Sequence, residues 1–344
     1  MTLQRILGVD VPIIQAPMAG FQGSALTMAV SNAGGLGSLP CATLSLDAMR
    51  NELAAIKAGT DKPFNVNFFC HAPPTPSVER EAAWRAILAP YYNEFGIDAD
   101  AIPAGPGRLP FSAQVADVLS EFRPTVVSFH FGLPSLELVR RVKGWGSKIL
   151  SSATTVEEAR WLEAHGVDAV IAQGVEAGGH RGHFLSEDLT MQLGTLALVP
   201  QIVNAVNLPV IAAGGIADTK GVAAALALGA ACVQIGTAYL LCPEAGTSPV
   251  HRAALSAVTA RHTALTNLFT GRPARGIVNR LMQEIGPLNS AAPDFPLAGS
   301  AIAPLRARAE SIGSGDFSPL WSGENASGCK SISAAELTRE LAAA

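Results

Sequence analysis

Charge is scarce in this chain. Only 15% of its 344 residues are Asp, Glu, Lys or Arg, and the net charge is −4. No basic stripe interrupts that pattern, so the electrostatic footprint of a nucleic-acid or anionic-membrane binder is missing. Cysteine is limited to Cys41, Cys70, Cys232, Cys242 and Cys329. Their odd number, their dispersal and the lack of a C-x-x-C pair exclude a disulfide framework and a zinc site. Reduced thiols in a cytoplasmic protein are expected. The first residues, Met1 to Gly8, carry no apolar signal-peptide core. Walker, H-E-x-x-H and G-x-S-x-G motifs are all absent, which removes P-loop, zincin and α/β-hydrolase chemistry. Asp10, Asp47 and Asp168 do not form a metal cluster, and no metal is expected.

One stretch lacks charge altogether, from Gly221 to Cys242. It is long enough to imitate a membrane span. It breaks at Leu228-Gly229-Ala230 and contains Gln234 and Thr237, so a buried helix followed by a buried strand is the better reading.

What is present is apolar sequence, 49% of the chain, arranged in alternation. Short β-branched runs predict strands at 12–15, 35–39, 63–67, 125–129, 148–151, 169–172, 209–212 and 232–235. Helical patterns fall between them at 25–32, 46–58, 136–143, 155–165, 196–206 and 220–228. Eight strands in βα alternation indicate an α/β protein, and the count favours a closed (β/α)₈ barrel over an open sheet. The barrel is expected over 1–242, with an insertion at about 71–122. The insertion holds a helical pattern at 79–95 and a Pro/Gly loop at 103–107. A second, smaller and mostly helical domain is expected over 243–310, with helices near 250–260 and 306–311. Residues 311–344 are read as a segment returning to the barrel. It ends in a helix at 333–343, capped by Ser333 with Glu336 at the capping-box position.

In such a barrel the loops after the strands build the active site. The richest follows the sixth strand: Gln173-Gly174-Val175-Glu176-Ala177-Gly178-Gly179-His180-Arg181-Gly182. Its glycines allow backbone to approach a ligand. His180 is the side chain suited to proton transfer near neutral pH. Gly214-Gly215 after the seventh strand and Gly236-Thr237 after the eighth read either as a phosphate pocket or as tight βα turns. Asn67 and Gln173 are either ring-binding carboxamides or satisfied core amides. Met18 either underlies an apolar ring or packs the core. His130 is either a ligand-facing donor or a core histidine.

Taken together, Pro12-Ile13-Ile14-Gln15-Ala16-Pro17-Met18, Gly34-Gly35-Leu36-Gly37, Asn65-Val66-Asn67, Ser128-Phe129-His130-Phe131-Gly132, the loop from Gln173 to Gly182, Ala213-Gly214-Gly215-Ile216 and Gln234-Ile235-Gly236-Thr237 resemble the nitronate monooxygenases. Leu320-Trp321-Ser322-Gly323 also resembles that family's tail. The resemblance implies a TIM barrel that binds FMN and oxidises alkyl nitronates with O₂ to a carbonyl compound and nitrite. Propionate 3-nitronate is the substrate it implies, through the class I-like motif around His130. It makes His180 the catalytic residue and His130 a substrate-binding one. Ala16, Pro17, Met18, Asn67, Gln173, Gly178, Gly179, Gly214, Gly215, Gln234, Ile235, Gly236 and Thr237 become cofactor contacts. The expected partners are a small nitronate or nitroalkane and O₂, with no nucleic acid and no membrane, and a homodimer is compatible with it. FMN-dependent NAD(P)H enoyl-acyl-carrier-protein reductases share this scaffold and provide the alternative reading.

Overall fold

The computed structural model describes residues 3–102 and 108–344, so the predicted loop at 103–107 lies outside the described residues. The eight expected strands are present, each end within two residues of its sequence-derived bound. They are β1 (Ile13–Gln15), β2 (Gly37–Pro40), β3 (Phe64–Phe69), β4 (Val126–His130), β5 (Lys148–Ala153), β6 (Ala169–Gln173), β7 (Val210–Ala213) and β8 (Cys232–Ile235). All pair in parallel, in the order β1-β8-β7-β6-β5-β4-β3-β2. The seam between β1 and β2 closes through a bridge at Ile14 and Leu36. Gln15 completes it with its side chain: Oε1 accepts from Ser38 N at 3.0 Å, where the short strands no longer reach each other.

Most of the outer helices begin at side-chain caps, which satisfy backbone N–H groups that a helix start leaves open; Ser24–Asn32 and Thr195–Ala205 begin at glycine instead. Ser45 accepts from Ala48 N, Thr155 from Glu158 N and Asp218 from Gly221 N. The uncharged stretch is resolved as expected into a helix, Thr219–Ala227, and β8. No helix among the described residues is long and apolar enough to cross a membrane. All five cysteines are free thiols.

The insertion is shorter than the 71–122 expected. Its last helix, Ala113–Phe122, packs between Leu46–Gly59 and Leu136–Gly144 and is therefore the barrel's own third outer helix. The remainder joins a different partner. Helix Val78–Phe95 lies on helix Gly299–Ser311, where Trp84 Nε1 donates to Ala298 O and Tyr92 Oη donates to Ala301 O at 2.7 Å. Trp84, Leu88, Tyr92, Leu268, Phe269, Leu281, Ile302 and Phe317 form one buried cluster, separate from the cores inside and around the barrel.

The region after β8 is not simply helical either. Strands Thr263–Thr266 and Ala274–Ile277 form an antiparallel hairpin, and Gly179–His180 adds to it as a third strand. The chain then returns, and helix Ala334–Ala342 packs against Ser24–Asn32 and Thr219–Ala227, filling the eighth outer position.

Gly37 shows how tightly this ring is packed. A Cβ there meets the backbone of Thr27 in helix Ser24–Asn32. Gly37→Ala is expected to cost about 1–3 kcal/mol, the usual penalty of overpacking. Denaturant unfolding of the two proteins measures it, and an unchanged midpoint contradicts this packing.

Candidate active site

A cleft of about 1240 Å³, counted to its open mouth, occupies the C-terminal end of the barrel. Every residue named from sequence lines it. Ala16, Pro17 and Met18 follow β1, Asn67 lies on β3, and His130 ends β4. Gln173, Gly178, Gly179 and His180 come from β6 and its loop. Gly214 and Gly215 follow β7, while Gln234, Ile235, Gly236 and Thr237 come from β8 and its turn.

The loop after β6 is held by its own strand end. Gln173 Nε2 donates to His180 O at 3.0 Å, and its Oε1 accepts from Gly182 N at 2.8 Å. Between them Arg181 turns inward and is fully buried. Its guanidinium donates to Gln173 O, Gly174 O and the Gln192 carboxamide at 2.6–2.8 Å. These bonds make burial of a cation tolerable. The Gln173 carboxamide, through its own two bonds to His180 O and Gly182 N, is committed to the loop.

His180 therefore has a fixed backbone and a confined ring. Phe69, Phe131, Phe295 and Trp321 surround the imidazole at centroid distances of 6.0, 6.0, 5.3 and 5.6 Å. Nε2 meets the Thr270 hydroxyl at 2.9 Å. Burial, then the positive field of Arg108, pushes its pKa well below the usual value, so the ring is neutral. Neutral imidazole presents one donor and one acceptor. With one nitrogen on Thr270, Nδ1 is the one left for a ligand.

His130 is differently placed. Nδ1 meets Ser152 Oγ at 3.0 Å and Nε2 meets His180 O at 3.1 Å. Because a carbonyl only accepts, Nε2 carries the proton and Nδ1 accepts from the serine. Both nitrogens are thus taken by protein groups. The geometry favours the satisfied-histidine alternative over substrate binding, with His130 bracing the backbone beneath His180.

At the opposite wall, Gly214 and Gly215 have φ of 118° and 71°. A side chain is strained at such angles, and both glycines line a recess of the cleft wall. The C-terminal segment closes these turns from outside: Gly323 N donates to Thr237 Oγ1 at 2.9 Å and Asn325 Nδ2 to Gly215 O at 3.1 Å. Gln234 Oε1 is buried in the cleft wall with no protein donor. Asn67 donates its amide to Ser128 O and Oγ at 3.2 and 2.9 Å. Met18 lies beside the Gly236 turn, its Sδ 3.6 Å from where a Cβ on that glycine would sit.

Sequence reasoning missed Arg108, Thr270, Phe295 and Ser152. Arg108 and Thr270 sit in stretches with no motif of their own, and only tertiary pairing brings them here.

The neutral histidines carry a pH signature. Burial holds His130 down to about 3, against 6.5 for a free imidazole. Arg272, Arg181 and His183 push the same way, against the bond to His180 O. The unfolded chain binds the extra proton first, so this stabilisation is complete above pH 6.5 and is lost as pH falls toward about 3. His130→Gln is expected to flatten the decline of the melting temperature between pH 7 and 4. Parallel declines in both proteins contradict it.

Comparison with known proteins bears on this arrangement. The family model described as nitronate monooxygenase matches residues 1–344. A nitronate monooxygenase from Pseudomonas aeruginosa is 44% identical, over 98% of this chain and 97% of its own. The solved nitroalkane oxidase from Streptomyces ansochromogenes has 38% identity and a TM-score of 0.90, covering 99% of this chain and 96% of that one. FabK from Thermotoga maritima is similar at 28% identity and a TM-score of 0.73, covering 99% and 94%. A histidine-bearing loop pinned over a barrel mouth, and a match along the entire chain, place this protein in the nitronate monooxygenase family.

Proposed function

We propose that this enzyme uses FMN and O₂ to oxidise alkyl nitronates, propionate 3-nitronate among them, to a carbonyl compound and nitrite. Family membership supports the reaction class. The observation that carries the cofactor is the pairing of the Gly214-Gly215 recess with the orphaned Gln234 Oε1. The recess suits one phosphate, and the buried acceptor suits a heteroaromatic N–H. No G-x-G-x-x-G fingerprint accompanies them, which argues against a dinucleotide. When bound, FMN supplies the electron acceptor for the nitronate.

The chain's own residues do the rest. Phe69, Phe131, Phe295 and Trp321 keep water from the ring of His180. In the tautomer whose Nε2 accepts from the Thr270 hydroxyl, His180 holds the nitronate oxygens through Nδ1–H. In the other tautomer, with Nε2–H donated to Thr270, the Nδ1 lone pair is placed to take the α-proton of a neutral nitroalkane. His130 and Gln173 act as positioning residues, because both end on His180 O. The residues at 78–102 and 258–321 form in this reading a separate cap that walls the cleft.

The first test is the visible spectrum of the purified protein, followed by oxygen consumption with propionate 3-nitronate. Colourless protein that takes up no added FMN contradicts the cofactor. Rapid flavin bleaching by NADPH without O₂ favours an enoyl reductase instead. Gly215→Asp places bulk and negative charge in the recess and is expected to weaken FMN binding severely; unchanged affinity removes the phosphate assignment. His180→Asn is expected to lower kcat/KM for neutral nitroalkanes by about 10²–10⁴-fold. The loss on preformed nitronates, which have no proton left to give, is smaller. Equal losses at full FMN occupancy assign His180 to binding alone.

A further inference from the structure

Arg108 is the one Asp, Glu, Lys or Arg side chain that lines the cleft among the described residues. Its backbone is anchored to the end of β3. The Arg108 carbonyl pairs with His71 Nε2 at 2.9 Å, and Phe111 N donates to Phe69 O at 2.9 Å. The strand order places β3, to whose end Arg108 is anchored, across the barrel from β7, which leads into Gly214-Gly215. The Arg108 guanidinium lies 5.7 Å from the centroid of the Phe295 ring, and that ring is 5.3 Å from His180. The cation and the imidazole therefore border the same phenyl ring.

The guanidinium is half-buried and, among the described residues, has neither a hydrogen bond nor a carboxylate partner. Neighbouring arginines each have a protein acceptor. Arg272 donates to His183 O and stacks on Phe131, Arg275 pairs with Glu324 at 3.1 Å, and Arg181 donates to Gln173 O, Gly174 O and the Gln192 carboxamide. A half-buried cation whose donors have no protein partner among the described residues is free to bind an anionic ligand. Guanidinium geometry matches a carboxylate through two parallel hydrogen bonds.

We infer that Arg108 is the specificity-determining residue of this site, binding a carboxylate carried at the far end of the substrate while its nitronate lies at His180. The inference rests on the reading of the cleft as a nitronate site. It makes the preferred substrate a dianion, and nitronates with purely alkyl tails poorer ones.

The test uses the holoenzyme and two probes of similar size, propionate 3-nitronate and butyl-1-nitronate. The ratio of their kcat/KM values is expected to fall about 10–100-fold in Arg108→Gln, mainly through KM of the carboxylated probe. Arg108→Lys keeps the charge but not the fork, and is expected to restore part of the ratio. Titration calorimetry with 3-nitropropionate and 1-nitrobutane supplies a readout independent of turnover. Wild type is expected to bind the carboxylate tighter, and Arg108→Gln to lose that margin. An unchanged preference in both variants, by both measures, overturns the inference. If wild type oxidises neither nitronate, the functional reading fails, and the calorimetric comparison alone decides the role of Arg108.

Discussion

The commitment of Gln173 to its own loop is the constraint on which the site depends. A glycine-rich segment of ten residues loses much conformational entropy when ordered. Here the order comes from a single carboxamide that reaches both His180 O and Gly182 N. Arg181 locks the same turn from below, and pairing with Ala274 and Arg275 locks it from above. The histidine stands on backbone held from three sides. Its imidazole direction is thus a property of the fold rather than of a mobile loop.

That arrangement explains why the chain leaves the barrel after β8. Pairing His180 with an outside strand needs a hairpin above the barrel mouth, and Thr263–Thr266 with Ala274–Ile277 supplies it. The hairpin in turn needs a core. Helices Val78–Phe95 and Gly299–Ser311 build one, drawing on two stretches far apart in sequence. The chain then passes Gly323 and Asn325 over the glycine turns before filling the last outer helix position. Barrel, cap and tail meet at the cleft, so disturbing any one of them is felt at the other two.

The barrel was legible because its strands are buried on both sides and read as continuous apolar runs, and because capped helices punctuate them. The strand-end residues were legible because glycine, amide and histidine are out of place after such runs. The hairpin was not. Ala274-Arg275-Gly276-Ile277 carries a buried arginine and a glycine, and one of its two pairing partners, Gly179–His180, lies nearly a hundred residues away. The insertion was overestimated for a similar reason: nothing local distinguishes Ala113–Phe122, a barrel helix, from Val78–Phe95, a cap helix. For His130 the sequence offered two readings of equal standing. Choosing between them required its two partners, Ser152 and His180 O, neither of which is a sequence neighbour.

The electrostatics of the cleft follow from the same geometry. Burial among aromatic rings removes the charge from His180 and His130, and the arginines around them make protonation costlier still. No carboxylate lines the cleft among the described residues to oppose this. In the proposed reading, what is left is an uncharged middle between two ends that favour negative charge, the Gly214-Gly215 turn and the Arg108 guanidinium. A site of that polarity attracts anions without a protonated base to trap them. A neutral histidine beside a fixed cation can then accept or donate a proton as the ligand requires, because the arginine, not the imidazole, carries the positive charge.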